Sequence, residues 1–549
     1  MTYNPKNLLL YLAVLILTFQ HTKAQQINSD FLDSLLIEYD IPSISVAYFE
    51  NNEVSYIGTH GFKSMDTKEP VEKNTIYSAA SLSKPAFAYA VLLIAQSGKI
   101  DLDEPLYKYL ENEDLKDDAR YKNITARMIL SHSSGLPNWR NGELQLLFDP
   151  GSDFQYSGEG YMYLAKVIES ILGQNINDVM KEWVFKPLGM TNSSFVWESH
   201  FKSFAVPHDY TNTAKPFFAR NRPIIASSLQ TTPSDYAKLM MAILSKKVLN
   251  RKYYKLIITP QSKISESLGW GLGWGIQEGV KNRYLWQWGD NGNFKGFSMM
   301  YPNENKGMVF FINSHKGLRI LPKLVKNFFD DTIPVFDMLA RSMRTSPDEK
   351  LLLSILNHGF DKGVKSFLQL NSTKIDTSKI SIGQLEFVAM QLKWRNHFLE
   401  EKEVLKALSN TFPNSFKAQK SYAVHCVKHG YKEEGILYYK KALKIEPQNK
   451  SISSTIHLLT ANKLEGNVTF GFSDYLWASS VSVSGSFNDW SYSSIPLLKR
   501  NGVWQTTIEL APGEYSYQFI VNGYPILDPR NEEIIKENGQ IMSLLKVEK

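Results

Sequence analysis

Ser81-Leu82-Ser83-Lys84 places a hydroxyl and an amine three residues apart, where an apolar helical run begins. On a helix, positions i and i+3 share a face, so the two groups can meet. A serine hydroxyl is a weak nucleophile at neutral pH and needs a neighbouring base. A lysine serves as that base when desolvation or a nearby cation lowers its pKa. The N-terminal end of the helix favours negative charge developing on Ser81 and offers a free backbone N–H. The tetrapeptide alone is weak, because Ser199-His200-Phe201-Lys202 has the same spacing and no supporting context. Taken alone, Ser81 and Lys84 read better as a helix cap beside a surface lysine.

The elements that must position these groups are legible around them. Ile41 to Phe49 reads as a strand, Asn51-Asn52 as a turn and Val54 to Gly58 as the returning strand. From Ser81, residues Phe87, Tyr89, Val91, Leu92, Leu93 and Ala95 predict a buried helix that Gly98 stops. Helical segments follow, and from Trp270 to Ile312 the pattern returns to Gly- and aromatic-rich strands. Strands at both ends with helices between predict one α+β domain over residues 25–336.

Further ordered segments decide between cap and nucleophile. Ile124 to Pro137, containing Leu130-Ser131-His132-Ser133-Ser134-Gly135-Leu136-Pro137, resembles the "LLxHTSGLP" segment of the serine β-lactamase-like family. Pro150 to Tyr161, containing Phe154-Gln155-Tyr156-Ser157-Gly158, resembles its "PGxxFxYSNxGY" segment. Ser228 to Asp235 fits "GGLxSTxxDL", and Trp288 to Phe297, then Tyr301-Pro302 and Ile312-Asn313, resembles the closing "GHxGxxxGF…YP…TN" segment. The resemblance runs from the end of a leader to about residue 336. It implies the β-lactamase/transpeptidase-like fold, an antiparallel sheet with a helical cluster.

That resemblance implies an acyl-enzyme on Ser81, with Lys84 and Tyr156 sharing the proton. Tyr156 acts as base only if nearby cations favour its phenolate, so its pKa is expected to fall. The implied oxyanion hole uses the backbone N–H groups of Ser81 and Asn293, with Gly292 letting substrate approach the edge strand. No metal or organic cofactor is implied. Two departures matter: Gly158 stands where relatives often carry Asn, and Asp290 where penicillin-recognising enzymes carry Lys and many esterase-like members His. An anion at 290 repels a substrate carboxylate, which favours an ester, or an amide bearing a cationic or neutral group, over penicillins. A salt-bridged structural Asp290 is the equal alternative. Of Trp270, Trp274, Trp286 and Trp288, most are expected in the core, with one or two beside the acyl pocket.

Composition bounds the rest. The 549 residues exceed one core, and the net charge of +6 is spread among interleaved acids, which does not suggest a nucleic-acid binder. Lys6, the apolar run Leu8 to Phe19 and Thr22-Lys23-Ala24 read as a secretory signal over residues 1–24, implying export to the periplasm or outside. The run is too short for a span, which needs about 20 residues; a retained anchor is the alternative. The single cysteine, Cys426, excludes an intramolecular disulfide and Cys-based zinc sites. HExxH spacing is absent, which disfavours a metal hydrolase.

Residues 337–462 read as helical. Pro413 and Pro447 lie about 34 residues apart, the tetratricopeptide period, and predict two repeats, an irregular third and a surface for a protein partner. A plain helical linker bundle is the alternative. Residues 463–549 read as a small immunoglobulin-like β-sandwich, with alternating runs at Val481, Trp504 and Tyr515 and turns at Pro512-Gly513 and Asn522-Gly523. Gly485 to Trp490, Pro512 to Gly523 and Asp528-Pro529 resemble the glycogen-binding module of AMP-activated-kinase β subunits and starch-branching enzymes. The resemblance implies Trp490, and Tyr524 next to the position of a second aromatic, as glycan-stacking candidates. Gln518 and Pro525 replace an expected Lys and Trp, so a β-module without a sugar ligand stands equally. The whole is expected to be an exported serine hydrolase for a small ester or amide substrate, peptides included. A catalytically weak penicillin-binding-like receptor and a repeat-based scaffold are the competing readings.

Overall fold

A computed structural model describes residues 30–548 apart from 218, 280–281, 332–334, 369–378, 461–465, 479, 489, 491–494, 501 and 538–539. The expected leader over 1–24 lies outside the described residues. The chain forms two compact units, one ending at Thr345 and one running from Ser346 to Lys549.

The first unit is built on an eight-stranded antiparallel sheet. A helix α1 over residues 30–39, unanticipated by the sequence reading, precedes a hairpin of β1 (Ser43–Glu50) and β2 (Glu53–Gly61). Asn51 and Asn52 both adopt φ near +60° (55° and 63°), a turn whose twist matches its strands. Two short strands, β3 (Tyr77–Ser78) and β4 (Gln230–Thr231), pair with each other. The closing strands are β5 (Ser262–Lys263), β6 (Leu268–Trp270), β7 (Gly275–Glu278), β8 (Arg283–Asp290), β9 (Lys295–Tyr301) and β10 (Lys306–Ile312). The sheet order is β2-β1-β10-β9-β8-β7-β6-β5, so the first hairpin closes against the last strand.

Every residue of β9 is buried, because helices cover both faces of the sheet. One face carries α2 (Ser83–Gln96), α3 (Ala126–Leu130), α4 (Gly158–Leu172), α5 (Ile176–Met180), α6 (Pro233–Ser245) and α7 (Arg251–Ile258). Twelve of the fourteen residues of α2 are buried, as expected of a helix apolar all round. The other face carries α1, α8 (Leu321–Phe329) and α9 (Val335–Met343). The expected boundary at 336 falls inside α9. Val335 and Leu339 are buried with Leu321, Leu324 and Trp286, so this helix belongs to the first core.

The second unit starts with helices α10 (Pro347–Phe367), α11 (Ile382–Trp394), α12 (Phe398–Thr411), α13 (Phe416–Lys428), α14 (Lys432–Ile445) and α15 (Lys450–Thr460). Helix starts at Ile382, Phe416 and Lys450 recur in two steps of 34 residues. The strands that follow form two sheets. One joins β11 (Val468–Phe472), β15 (Val503–Ile508) and β14 (Leu498–Arg500). The other joins β13 (Ile495–Pro496), β12 (Val481–Gly485), β16 (Gly513–Val521), β19 (Gln540–Val547) and β18 (Ile534–Glu537), with β17 (Tyr524–Ile526) on β16. Val483, Phe470, Trp504 and Phe519 fill the space between them.

No helix among the described residues is long and apolar enough to cross a membrane.

Candidate active site

Ser81 sits in a tight 3-10 turn, Ala80–Leu82, that feeds directly into α2. The residue before it, Ala80, is fully buried at φ +49°, a conformation that alanine holds only under tertiary constraint. The constraint is visible. Ser83 Oγ donates to Ala80 O at 2.6 Å and accepts from the Leu229 N–H at 3.0 Å. The Tyr236 hydroxyl donates to Leu82 O at 2.9 Å. On the other side β8 presses against the turn: a Cβ on Gly289 would lie 2.5 Å from Ala79 O and 3.2 Å from Ala80 Cβ.

This turn leaves Ser81 half-buried and aims it at Lys84, whose Nζ donates to Ser81 Oγ at 3.2 Å. A second bond, 2.9 Å to Ala226 O, holds the amine from the far side. Burial disfavours its charged form and pulls the Lys84 pKa down from 10.5 to about 7.

Tyr156 follows the Pro150-Gly151 turn and precedes α4, and its hydroxyl meets the same serine by a hydrogen bond with the Ser81 side chain. Gln287 on β8, fully buried, donates its Nε2 to the Tyr156 oxygen at 2.9 Å. Lys84 Nζ stands over the Tyr156 ring, 4.7 Å from its centre. Ser81, Lys84 and Tyr156 are thus brought together. The phenol's acidity differs from expectation, because burial raises the Tyr156 pKa and the bonds to Ser81 and Gln287 offset only part of that. The group nearest to a free base at neutral pH is Lys84.

His132 supports this wall. Its ring lies 4.3 Å from that of Tyr156, and its Nδ1 accepts the Ser157 N–H at 3.0 Å, which leaves the proton on Nε2. Burial holds its pKa well below 6.5, so it stays neutral. Gln287, His132 and the Ala226 carbonyl were missed as site residues. His132 lies inside a recognised segment, Ala226 two residues before one, and Gln287 immediately before another.

The edge-strand residues are arranged differently from the expectation. Asp290 ends β8 opposite Lys295, the first residue of β9, and the two form an ion pair in which Lys295 is 4% exposed at the side chain and Asp290 36%. The carboxylate also accepts the Gly292 N–H at 2.8 Å. Of the two readings of Asp290, the structure supports the salt-bridged one, and the charge that a substrate meets there is largely compensated. Gly292 takes φ +71°, and the Asn293 N–H donates back to Asn291 O at 2.9 Å. The amide expected to hold an oxyanion is engaged within its own turn. The loop is anchored by Asn291 Nδ2, which donates to Ser78 Oγ and Ser227 O at 3.0 Å each.

Gly158 also has a local reason. A Cβ there would lie 2.7 Å from Asn138 O and 2.9 Å from the Trp139 ring, so the side chain common in relatives has no room. Of the four tryptophans, Trp270, Trp274 and Trp286 are buried, while Trp288 is partly exposed with its ring 4.9 Å from Tyr156.

Residues 24–324, more than half of the chain, match the family model described as Beta-lactamase. The chain belongs to the beta-lactamase family. Members of this family are serine hydrolases that work through an acyl-enzyme. Among curated proteins, this beta-lactamase-family chain is similar to Protein flp of Staphylococcus aureus (strain NCTC 8325 / PS 47). The two are 25% identical over 336 residues, covering 53% of this chain and 64% of that protein. It is also similar to Penicillin-binding protein 4* of Bacillus subtilis (strain 168), 25% identical over 30% of this chain and 44% of that protein. The chain therefore spans less than two thirds of the length of either. A solved structure described as SurE shares the fold, at a TM-score of 0.50 and 19% identity over 57% of this chain and 77% of that one.

Residues 472–549 match the model described as Glycogen recognition site of AMP-activated protein kinase. Trp490 is partly buried at φ +56°, its N–H bonded to Gly485 O at 3.1 Å. Tyr524 is 75% exposed at the start of β17, where it pairs with Val521. Val521 and Tyr517 pair with Val481 and Gly485, the two ends of β12. The register therefore sets the backbones of the two glycan candidates about 13 Å of strand apart.

Proposed function

We propose that the chain hydrolyses an ester or amide through an acyl-enzyme on Ser81. The observation that carries this reading is the Lys84 amine 3.2 Å from the Ser81 oxygen, buried so that its pKa falls to about 7. Neutral Lys84 takes the Ser81 proton as Oγ attacks the carbonyl carbon. The negative charge that develops on the carbonyl oxygen is met by the Ser81 N–H at the head of α2. A second donor becomes available when the Asn293–Asn291 bond opens. The Tyr156 phenol, bonded to Ser81, donates to the leaving group and regains a proton from Lys84. Water then attacks the acyl carbon, with Lys84 again as base, and Ser81 leaves with a proton.

The Asp290–Lys295 pair presents little net charge, which suits neutral ester or amide substrates, small peptides included. A second reading, a receptor that acylates and turns over slowly, draws support from the engaged Asn293 amide. A labelled fluorophosphonate on wild type and Ser81→Ala tests both. Labelling of wild type alone supports an active Ser81; labelling of neither sinks it. Labelling without turnover on an ester, peptide and β-lactam panel selects the receptor.

The leader-like segment over 1–24 supports export, which N-terminal sequencing of the secreted protein tests. The 34-residue helical period supports tetratricopeptide-like repeats that bind a protein partner. The match over 472–549 supports a glycan ligand for the last module.

A further inference from the structure

We propose that Glu401, His425 and His429 form a binding site for a first-row divalent transition ion, zinc above all, on the helical segment of the second unit. His425 lies in the last turn of α13 and His429, four residues on, caps that helix, with the two rings 4.4 Å apart. Glu401 reaches them from the neighbouring α12. One ligand atom from each of the three lies within 4.8 Å of the others. Glu401 Oε1 and His425 Nδ1 are already 3.3 Å apart. Ligand atoms of a tetrahedral zinc ion, at bonds of about 2.0–2.1 Å, are separated by about 3.3 Å. Small side-chain rotations of Glu401 and His429 close the remaining gap.

The burial of these groups is the second observation. Glu401 is 5% exposed and His425 4%, yet Glu401 Oε2 and both ring nitrogens of His425 lack a hydrogen-bond partner. Buried polar atoms without partners are costly, and an ion pair between His425 and Glu401 answers only one nitrogen and one oxygen. A bound ion takes one His425 nitrogen and, held by both carboxylate oxygens, answers Glu401 Oε2 as well. Two imidazoles and one carboxylate select zinc and its neighbours over calcium or magnesium, which favour oxygen shells. The three residues line a groove of about 830 Å³, which leaves a fourth coordination position open to it. Lys393, Lys420 and Lys428 line the same groove, so the fourth ligand is an anion, a hydroxide or a carboxylate. The ion ties α12 to α13 and makes the stability of the repeats depend on metal.

The test uses the full chain without an affinity tag, stripped with chelator and then titrated with Co²⁺ and, in competition with a chromophoric chelator, with Zn²⁺. One ion per chain and visible cobalt bands are expected. His429→Ala, at a half-buried position, and Glu401→Gln are each expected to weaken zinc at least about ten-fold. Zinc is expected to raise the melting temperature of the stripped wild type and not that of His429→Ala. Fluorophosphonate labelling of Ser81 is expected to be indifferent to chelator. Failure of the stripped wild type to take up cobalt or zinc overturns the site. So does equal affinity in both variants, which leaves a buried ion pair only.

Discussion

Lys84 Nζ lies 3.2 Å from Ser81 Oγ, inside a pocket of the fold where the lysine is 1% exposed. Burial alone brings its pKa from 10.5 to about 7. Acylation is therefore expected to rise with pH through about 7, as the amine loses its proton, and then to level off. Single-turnover acylation rates between pH 5.5 and 9 measure this. A flat profile removes Lys84 as the base.

The same shift predicts a stability signature. Between pH 7 and 10.5 the unfolded lysine binds a proton that the folded one does not, so stability rises with pH across that window. Below about 7 the cost of holding Lys84 in the core is fully present. Lys84→Met is expected to melt above wild type at pH 6 by several degrees, with the gap narrowing toward pH 10. A constant gap across thermal melts at pH 6, 8 and 10 contradicts the assignment.

Tyr156→Phe keeps the ring against His132 and Trp288 and removes the oxygen bonded to Ser81 and Gln287. Its kcat is expected to fall about 10²–10⁴-fold. The stability loss is expected to be about 1–3 kcal/mol, since the bonds to Ser81 and Gln287 are both lost while Gln287 Nε2 keeps Trp288 O. Kinetics with an activated and an unactivated ester separate the roles: a proton donor matters less for the better leaving group.

Gly289→Ala places a methyl 2.5 Å from Ala79 O, in the wall behind the serine turn. Overpacking of this kind costs about 1–3 kcal/mol. Because the displaced atoms adjoin Ala80, Ser81 labelling is expected to slow even where the variant stays folded. Calorimetry and labelling rates on the same sample check this, and an unchanged rate argues that β8 does not hold the turn.

Asp290→Asn takes away the 36%-exposed carboxylate paired with the buried Lys295 and so removes an anion from the edge of β8. Substrates carrying a carboxylate are expected to gain in kcat/KM over neutral ones by about ten-fold or less, and the fold to lose about 1–3 kcal/mol. Matched pairs of charged and neutral esters measure the first and denaturant unfolding the second.

Local chemistry was readable in the amino-acid order. Three-residue spacing with an apolar run after it defined a serine and a lysine on one helical face, and paired asparagines defined the hairpin. A 34-residue period defined the helix pairs. Each of these is set by covalent proximity and helical or strand periodicity, which any sequence displays. The partners of those groups were not readable. Gln287 lies 131 residues from the Tyr156 that it bonds, and Ala226 lies 142 residues from Lys84. Lys295 answers Asp290 only through the β8–β9 register, and Glu401 meets His425 only because two helices are neighbours. The acidity of Lys84 and of Tyr156 likewise comes from how much water packing excludes. Such contacts depend on register, crossing geometry and burial, quantities shared by the whole fold and carried by no single stretch of it.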